Sequence, residues 1–161
     1  MTQSQYDQVR QNDRVIRPLL PDDLPAVLDI ELRCYSHPWS ESVFRDCFRQ
    51  DYRLWAYHCG GALSGYAIVA YLYDEAHLLN LCIAPDIRRE GAGRRLLRHL
   101  LAYAAHDGMQ QVILEVRESN RNAAALYQSE GFRVIGERPG YYPAPEGRED
   151  AIVMAFGLPG A

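Results

Sequence analysis

Arg88, Gly91 and Gly93 stand at a spacing suited to holding a phosphorylated molecule, in a segment where an apolar run, Asn80 to Ala84, empties into a turn rich in Arg and Gly. Gly91 and Gly93 carry no side chain, so the backbone can approach an anion closely. The unpaired N–H groups of a helix that starts there would point at it, with the positive end of the helix dipole behind them. Arg88, Arg89, Arg94 and Arg95 add forked donors matched to phosphate oxygens, and Glu90 and Ala92 complete the turn. Glycine pairs before helices and arginines on solvated faces are common, so an ordinary surface turn stays open on these residues alone. Downstream, the strand Gln111–Arg117 carries the carboxylate Glu115, and a short helix from about Asn120 carries Tyr127 ahead of Gly131-Phe132. Glu115 shares a strand face with Ile113 and Arg117, which also suits a cross-strand ion pair; Tyr127, four residues after Ala123, also suits a core aromatic whose hydroxyl reaches solvent.

Taken in order, these parts resemble the GCN5-related N-acetyltransferase family, whose acetyl-CoA signature Arg/Gln-x-x-Gly-x-Gly/Ala is met by Arg88-x-x-Gly91-x-Gly93. Within that family the chain is similar to the ribosomal-protein N-terminal alanine acetyltransferases. The matching segments are Pro38-Trp-Ser-Glu41, Asp74-Glu-Ala76, Leu114-Glu-Val-Arg117, Ser119-Asn120, Ala125-Leu-Tyr127, Gly131-Phe132 and Tyr141-Tyr-Pro143, spread over most of residues 14 to 157. The resemblance implies that acetyl-CoA lies where the strand ending near Ile83 and the strand of Glu115 splay apart, with backbone groups of Leu81, Cys82 and Ile83 on the pantetheine arm. It puts the pyrophosphate on the turn Arg88-Arg89-Glu90-Gly91-Ala92-Gly93-Arg94, and adds Asn120 as a CoA contact; Asn120 is equally suited to be the N-cap of its helix. Glu115 is implied as the general base and Tyr127 as the acid that protonates the leaving thiolate. The acceptor pocket would be framed by Tyr35 and Trp39, by Asp74 and Glu75, and by Tyr141 and Tyr142.

The implied acceptor is the N-terminal alanine of a small-subunit ribosomal protein, attacked in a ternary complex. The chemistry suits a single carboxylate: at neutral pH, deprotonating an α-amine costs about 1.4 kcal/mol against about 4.6 kcal/mol for a lysine amine. Other readings remain open: a lysine or small-amine acetyltransferase of the same fold, or a non-catalytic regulator that binds acyl-CoA. Cys82 raises the possibility of acetyl transfer through a thiolate, although no histidine stands in a recognisable partnering position. A dinucleotide site is weaker, because the third spaced glycine and the ribose-binding acid are missing.

Bulk properties narrow the field further. With 161 residues, 48% of them hydrophobic, the chain suits one domain, and a net charge of −4 argues against a general nucleic-acid binder. All 17 basic side chains are Arg, which excludes the lysine-dependent P-loop, Schiff-base and pyridoxal-phosphate chemistries. Cysteines 34, 47, 59 and 82 lack Cys-x-x-Cys spacing and the histidines do not pair with them at ligand intervals, so no metal site or disulfide framework is indicated. The polar start and the shortness of the longest apolar stretch, Tyr66 to Tyr73, predict a soluble, cytoplasmic protein without a membrane partner.

These residues need elements to hold them. The pattern predicts a flexible tail over 1–13, a strand at Arg14–Leu19, and a helix opening at Pro21 with an apolar side of Leu24, Val27, Leu28 and Leu32. A short helix capped by Ser40 follows, then strands Arg53–Cys59 and Ala62–Tyr73 about a Gly60-Gly61 turn, and a strand His77–Ala84. The helix after Gly93 ends near Gly108, and strands Phe132–Arg138 and Asp150–Phe156 are joined by a loop, Pro139–Glu149. The expectation is a mixed α/β domain over 14–157, a largely antiparallel sheet flanked by helices in the GNAT acyl-CoA N-acyltransferase fold, with residues 158–161 as a tail.

Overall fold

The computed structural model describes residues 2–5 and 13–159, so most of the tail expected over 1–13 lies outside the described residues. Seven strands hydrogen-bond in the order β1-β2-β3-β4-β5-β7-β6. They are β1 (Arg14–Pro18), β2 (Tyr52–Cys59), β3 (Ala62–Leu72), β4 (Glu75–Ile83), β5 (Gln111–Arg117), β6 (Arg133–Ala144) and β7 (Gly147–Gly157). Between Arg14 and Gly157 the α-helices are α1 (Leu24–Cys34), α2 (Glu41–Arg45), α3 (Ala92–His106) and α4 (Arg121–Ser129). Contacts divide the chain into two compact units, one of Met1–Ile68 with Asn80–Leu100 and one of Val69–Leu79 with Leu101–Ala161.

In the first unit, β1 pairs antiparallel with β2 from Arg14↔Cys59 to Pro18↔Trp55. Before α1 the chain makes a 3-10 turn, Pro21–Asp23, whose Asp23 carboxylate accepts from the Leu20 N–H at 2.7 Å and from both ends of the Arg17 fork at 2.8 and 2.7 Å. The Arg17 hydrogen bond holds the Asp23 carboxyl below its usual range. The buried face of α1 is Leu24, Val27, Ile30 and Glu31, whereas Leu32 is 68% exposed. Leu24 and Val27 hold the expected side, with Leu28 partly buried against the core, whereas Leu32 does not, and Ile30 and the Glu31 carboxylate complete the buried face. Ser40 caps α2 as expected, its Oγ accepting from the Val43 N–H at 3.4 Å, and Phe44 drives the helix into the core with Leu24, Ile30, Tyr66 and Cys82.

Pairing of β4 with β3 is close enough to require glycine. A Cβ on Gly65 would stand 2.6 Å from Ile83 Cδ1 and 2.9 Å from the Cys82 carbonyl oxygen. The carbonyl of Cys82 thus faces β3, as does the N–H of Ala84, which donates to Ser64 O at 2.8 Å. Because strand backbone groups alternate between edges, the N–H and C=O of Leu81 and Ile83 point away from β3.

In the second unit, β5 runs parallel to β4 from Glu75↔Gln111 to Leu78↔Leu114 and antiparallel to β7 from Gln111↔Gly157 to Arg117↔Ala151. The loop expected over Pro139–Glu149 is largely strand. β6 continues to Ala144 and re-pairs with β7 through Tyr142↔Glu149, Pro143↔Arg148 and Ala144↔Gly147, after a register shift between Arg138 and Tyr142. Pro139 and Pro143 fit here because β6 is the last strand in the order, where a missing ladder donor is tolerated. Gly140, at φ +60, turns the backbone at the shift. The C-terminal end of α3 is closed by Gly108 (φ +84), whose N–H donates to Ala105 O at 3.1 Å while Met109 N–H donates to Ala104 O at 2.9 Å. These are the two bonds of a Schellman cap. Leu158, assigned to a tail, is buried, and its N–H donates to Gln110 O at 2.9 Å.

Gly65→Ala should lower stability by about 1–3 kcal/mol, since its methyl meets a backbone carbonyl that has to move. Urea denaturation of the pair measures this; an unchanged midpoint would refute the close approach.

Candidate active site

The first unit gathers the residues expected for cofactor and acceptor turn around the end of β4. Of the backbone groups assigned to the pantetheine arm, those of Leu81 and Ile83 lie on the edge away from β3, while those of Cys82 are turned toward β3 and are corrected out of that set by the strand's alternation. Side chains already meet this edge: Tyr35 OH donates to Leu81 O at 3.4 Å and Arg88 Nε donates to Ile83 O at 3.2 Å. A second nitrogen of Arg88 lies 3.2 Å from Cys34 Sγ, so this guanidinium is folded onto its own strand end. The turn that follows has left-handed backbone at Arg89 (φ +68) and Gly91 (φ +81), and α3 starts at Ala92. Left-handed backbone at alternate positions is one way for successive N–H groups to converge, and this turn leads directly into a fifteen-residue helix. Arg95 braces the turn by donating to Glu90 O at 3.2 Å. Glu90 carboxylate oxygen lies 3.7 Å from Arg14.

Cys82 is buried, and burial, with Cys34 adding to it, pushes its thiol well above the ordinary range. The nucleophile of a thiol is its anion, so this environment works against acetyl transfer through Cys82.

Residues of the second unit form a separate polar group. Glu115 extends from β5, and Arg138 reaches it from β6 with Nε 3.1 Å from Oε1. The cross-strand ion pair left open by the sequence is thus present. The Glu115 carboxylate is also the main neighbour raising the Tyr141 phenol, with burial adding to it. Two residues along, Arg117 donates to Glu149 Oε1 at 2.9 Å and to Pro143 O at 2.8 Å, and its guanidinium stands 4.4 Å from the centre of the Tyr142 ring. Burial, then the Glu115 charge, pushes the Tyr142 phenol up to about 12. Tyr127 is buried on α4 against Phe132, and burial pushes it up to about 12 as well. It is therefore a protonated phenol through the neutral range. Asn120 Oδ1 accepts from the Ala123 N–H at 3.3 Å, the helix-capping role its position also suited.

Asp74 and Glu75 are not brought beside Glu115. Glu75 pairs with Gln111, whose Nε2 donates to Glu75 Oε1 at 2.9 Å, and Glu115 is four residues farther along β5, about 13 Å away at strand rise. Arg138 was missed by the sequence reading, as was the buried Glu31. The only local signal for Arg138 was an acid and a base on strands that end up flanking β7.

The chain as a whole has clear relatives. The profile of the Acetyltransferase (GNAT) family covers residues 24–132, and the chain belongs to that family. It is 42% identical over 141 residues to the ribosomal protein bS18-alanine N-acetyltransferase of Escherichia coli strain K12, spanning 88% of this chain and 95% of that one. The Haemophilus influenzae enzyme of the same name is 36% identical over 134 residues, 83% of this chain and 91% of that one. The crystal structure of the ribosomal-protein-S18-alanine N-acetyltransferase from Escherichia coli superposes with a TM-score of 0.88 at 40% identity, covering 92% of this chain and 96% of that chain. Among the described residues no helix is long and apolar enough to cross a membrane.

Cys82→Ala should keep turnover within about threefold, because a core thiol of this kind serves as a small apolar group. Intact-mass analysis of the native chain with acetyl-CoA alone should show no added acetyl group; a 42-Da adduct that Cys82→Ala abolishes would restore the thiolate route, the mass being about that of acetyl for hydrogen.

Proposed function

We propose that this chain transfers the acetyl group of acetyl-CoA to the N-terminal α-amine, alanine in the preferred case, of a small-subunit ribosomal protein in the cytoplasm. The observation that carries the reading is the 42% identity, over 95% of its length, to an enzyme named for that reaction on bS18. The turn from Arg88 through Arg94 would hold the pyrophosphate on converging N–H groups, and the Leu81 and Ile83 backbone would pair the pantetheine arm.

In the reaction the α-amine, having given its proton to Glu115 directly or through water, attacks the thioester carbonyl. A backbone N–H of Leu81 or Ile83 stabilises the negative oxygen. The C–S bond then breaks as Tyr127 delivers a proton to the departing sulfur, the nitrogen sheds one of its two remaining protons, which restores the Tyr127 phenol through solvent, and Glu115 returns its proton to water. Products are the acetylated N-terminus and free CoA. Arg138 and Tyr141 orient the Glu115 carboxylate, and Tyr142, stacked on Arg117, shapes the acceptor side with Tyr141.

Glu115→Gln and Tyr127→Phe should each reduce kcat by about 10²–10³-fold while calorimetric affinity for CoA changes less than about threefold. Retained turnover in both variants would remove the assigned roles. With Tyr127 held protonated up to about 12, turnover should stay level between about pH 9 and 10 once the α-amine is free. A decline with its midpoint below 10 would exclude this phenol as the acid. An Ala-starting peptide should be modified, whereas its N-terminally blocked form and an internal-lysine peptide should not; equal modification of the lysine peptide would favour the side-chain reading.

A further inference from the structure

The buried carboxylate of Glu31 has no part in the chemistry described above, yet it joins three segments. It is 1% exposed, on the core face of α1. Its Oε1 accepts from Tyr66 OH on β3 at 2.6 Å and from Asn80 Nδ2 on β4 at 2.9 Å, and its Oε2 accepts from the backbone N–H of Trp39 at 3.1 Å. Asn80 in turn accepts at Oδ1 from Tyr35 OH at 3.4 Å. Both ends of the turn from Tyr35 to Trp39 are therefore tied to one carboxylate, Trp39 directly and Tyr35 through Asn80. Packing closes the circuit, with the Trp39 ring 5.2 Å from Phe44 and Phe44 edge-on to Tyr66 at 5.8 Å.

A carboxylate is an expensive group to bury unless its lone pairs are satisfied, and an apolar residue on this helix face would meet the packing need without that cost. What an apolar residue could not do is accept the Trp39 N–H, in a turn that belongs to no helix or strand. We propose that Glu31 is a positioning residue for the acceptor: it holds the Tyr35–Trp39 turn against the Asn80–Leu81 segment, so that the incoming N-terminus meets a preformed surface. This rests on the reading above that the turn faces the acceptor peptide.

The two oxygens allow a selective test. In Glu31→Gln the one remaining carbonyl oxygen can still serve Tyr66 and Asn80, which leaves the NH2 group facing the Trp39 N–H, donor against donor. Loss of this charged hydrogen bond should raise KM for an Ala-starting peptide by about tenfold, while kcat and KM for acetyl-CoA change less than about threefold. Tyr66→Phe keeps the ring and removes a donor from Oε1 only; it should lower Tm but leave the peptide KM within about twofold. In the native protein, amide exchange at Trp39 should be slow, and it should accelerate in Glu31→Gln. Equal KM values in native and Glu31→Gln protein, a parallel loss of every kinetic parameter in both variants, or a Trp39 amide that exchanges freely in the native protein would each overturn the proposal. The last measurement decides the matter even if Glu31→Gln does not fold. If the native protein fails to acetylate the peptide at all, it is the acceptor reading that falls, whereas normal acetylation with an unmoved KM removes the role of Glu31 alone.

Discussion

The two-residue period of β4 is the constraint from which the first unit follows. One alternation divides its backbone groups between edges, sending those of Cys82 and Ala84 to β3 and those of Leu81 and Ile83 the other way. The other divides its side chains between faces, so that Asn80 and Cys82 are buried while Leu81 and Ile83 are half-exposed. Gly65 is the condition for this arrangement, because its missing side chain lets the Cys82 carbonyl and the Ile83 side chain approach. A slip of one residue would exchange both sets at once, burying Leu81 and turning the Cys82 amide outward.

Polar groups in the two units are held by different means. Glu31 is satisfied by three neutral donors in the core, where geometry rather than countercharge is decisive. In the second unit, Glu115 and Arg117 lie on a half-exposed strand face and take charged partners, Arg138 and Glu149 respectively, with Tyr141 and Tyr142 closing over them. Partly exposed ion pairs contribute modestly to stability, so this face is better understood as fixing the direction of two side chains than as holding the fold together.

Burial has opposite consequences for the two acids it perturbs most relevantly. Desolvation disfavours the anion in both cases. For the Cys82 thiol that removes the form able to attack, whereas for the Tyr127 phenol it preserves the form able to donate a proton. The same physical effect thus works against a thiolate at Cys82 and keeps the Tyr127 phenol protonated.

Much of the fold was readable because its signals are local. Ser40 caps its helix three residues ahead, Gly108 stands where a left-handed cap is needed, Gly60-Gly61 turns a hairpin, and the Arg88–Gly93 turn combines flexible backbone with the start of a helix. Each depends on a few neighbouring residues, so sequence alone determined the element order, the Arg88–Gly93 turn ahead of its helix, and Glu115 and Tyr127 as groups of interest. Partners separated by tens of residues were not legible. Pairing decided that Pro139–Glu149 continues an edge hairpin, that Arg138 meets Glu115, and that Glu75 is displaced from Glu115 by the β4–β5 register. Packing of α1 decided that Glu31 points inward while Leu32 is exposed. A strand or helix pattern states which faces exist; only packing against the rest of the chain selects which face is buried and what lies opposite it.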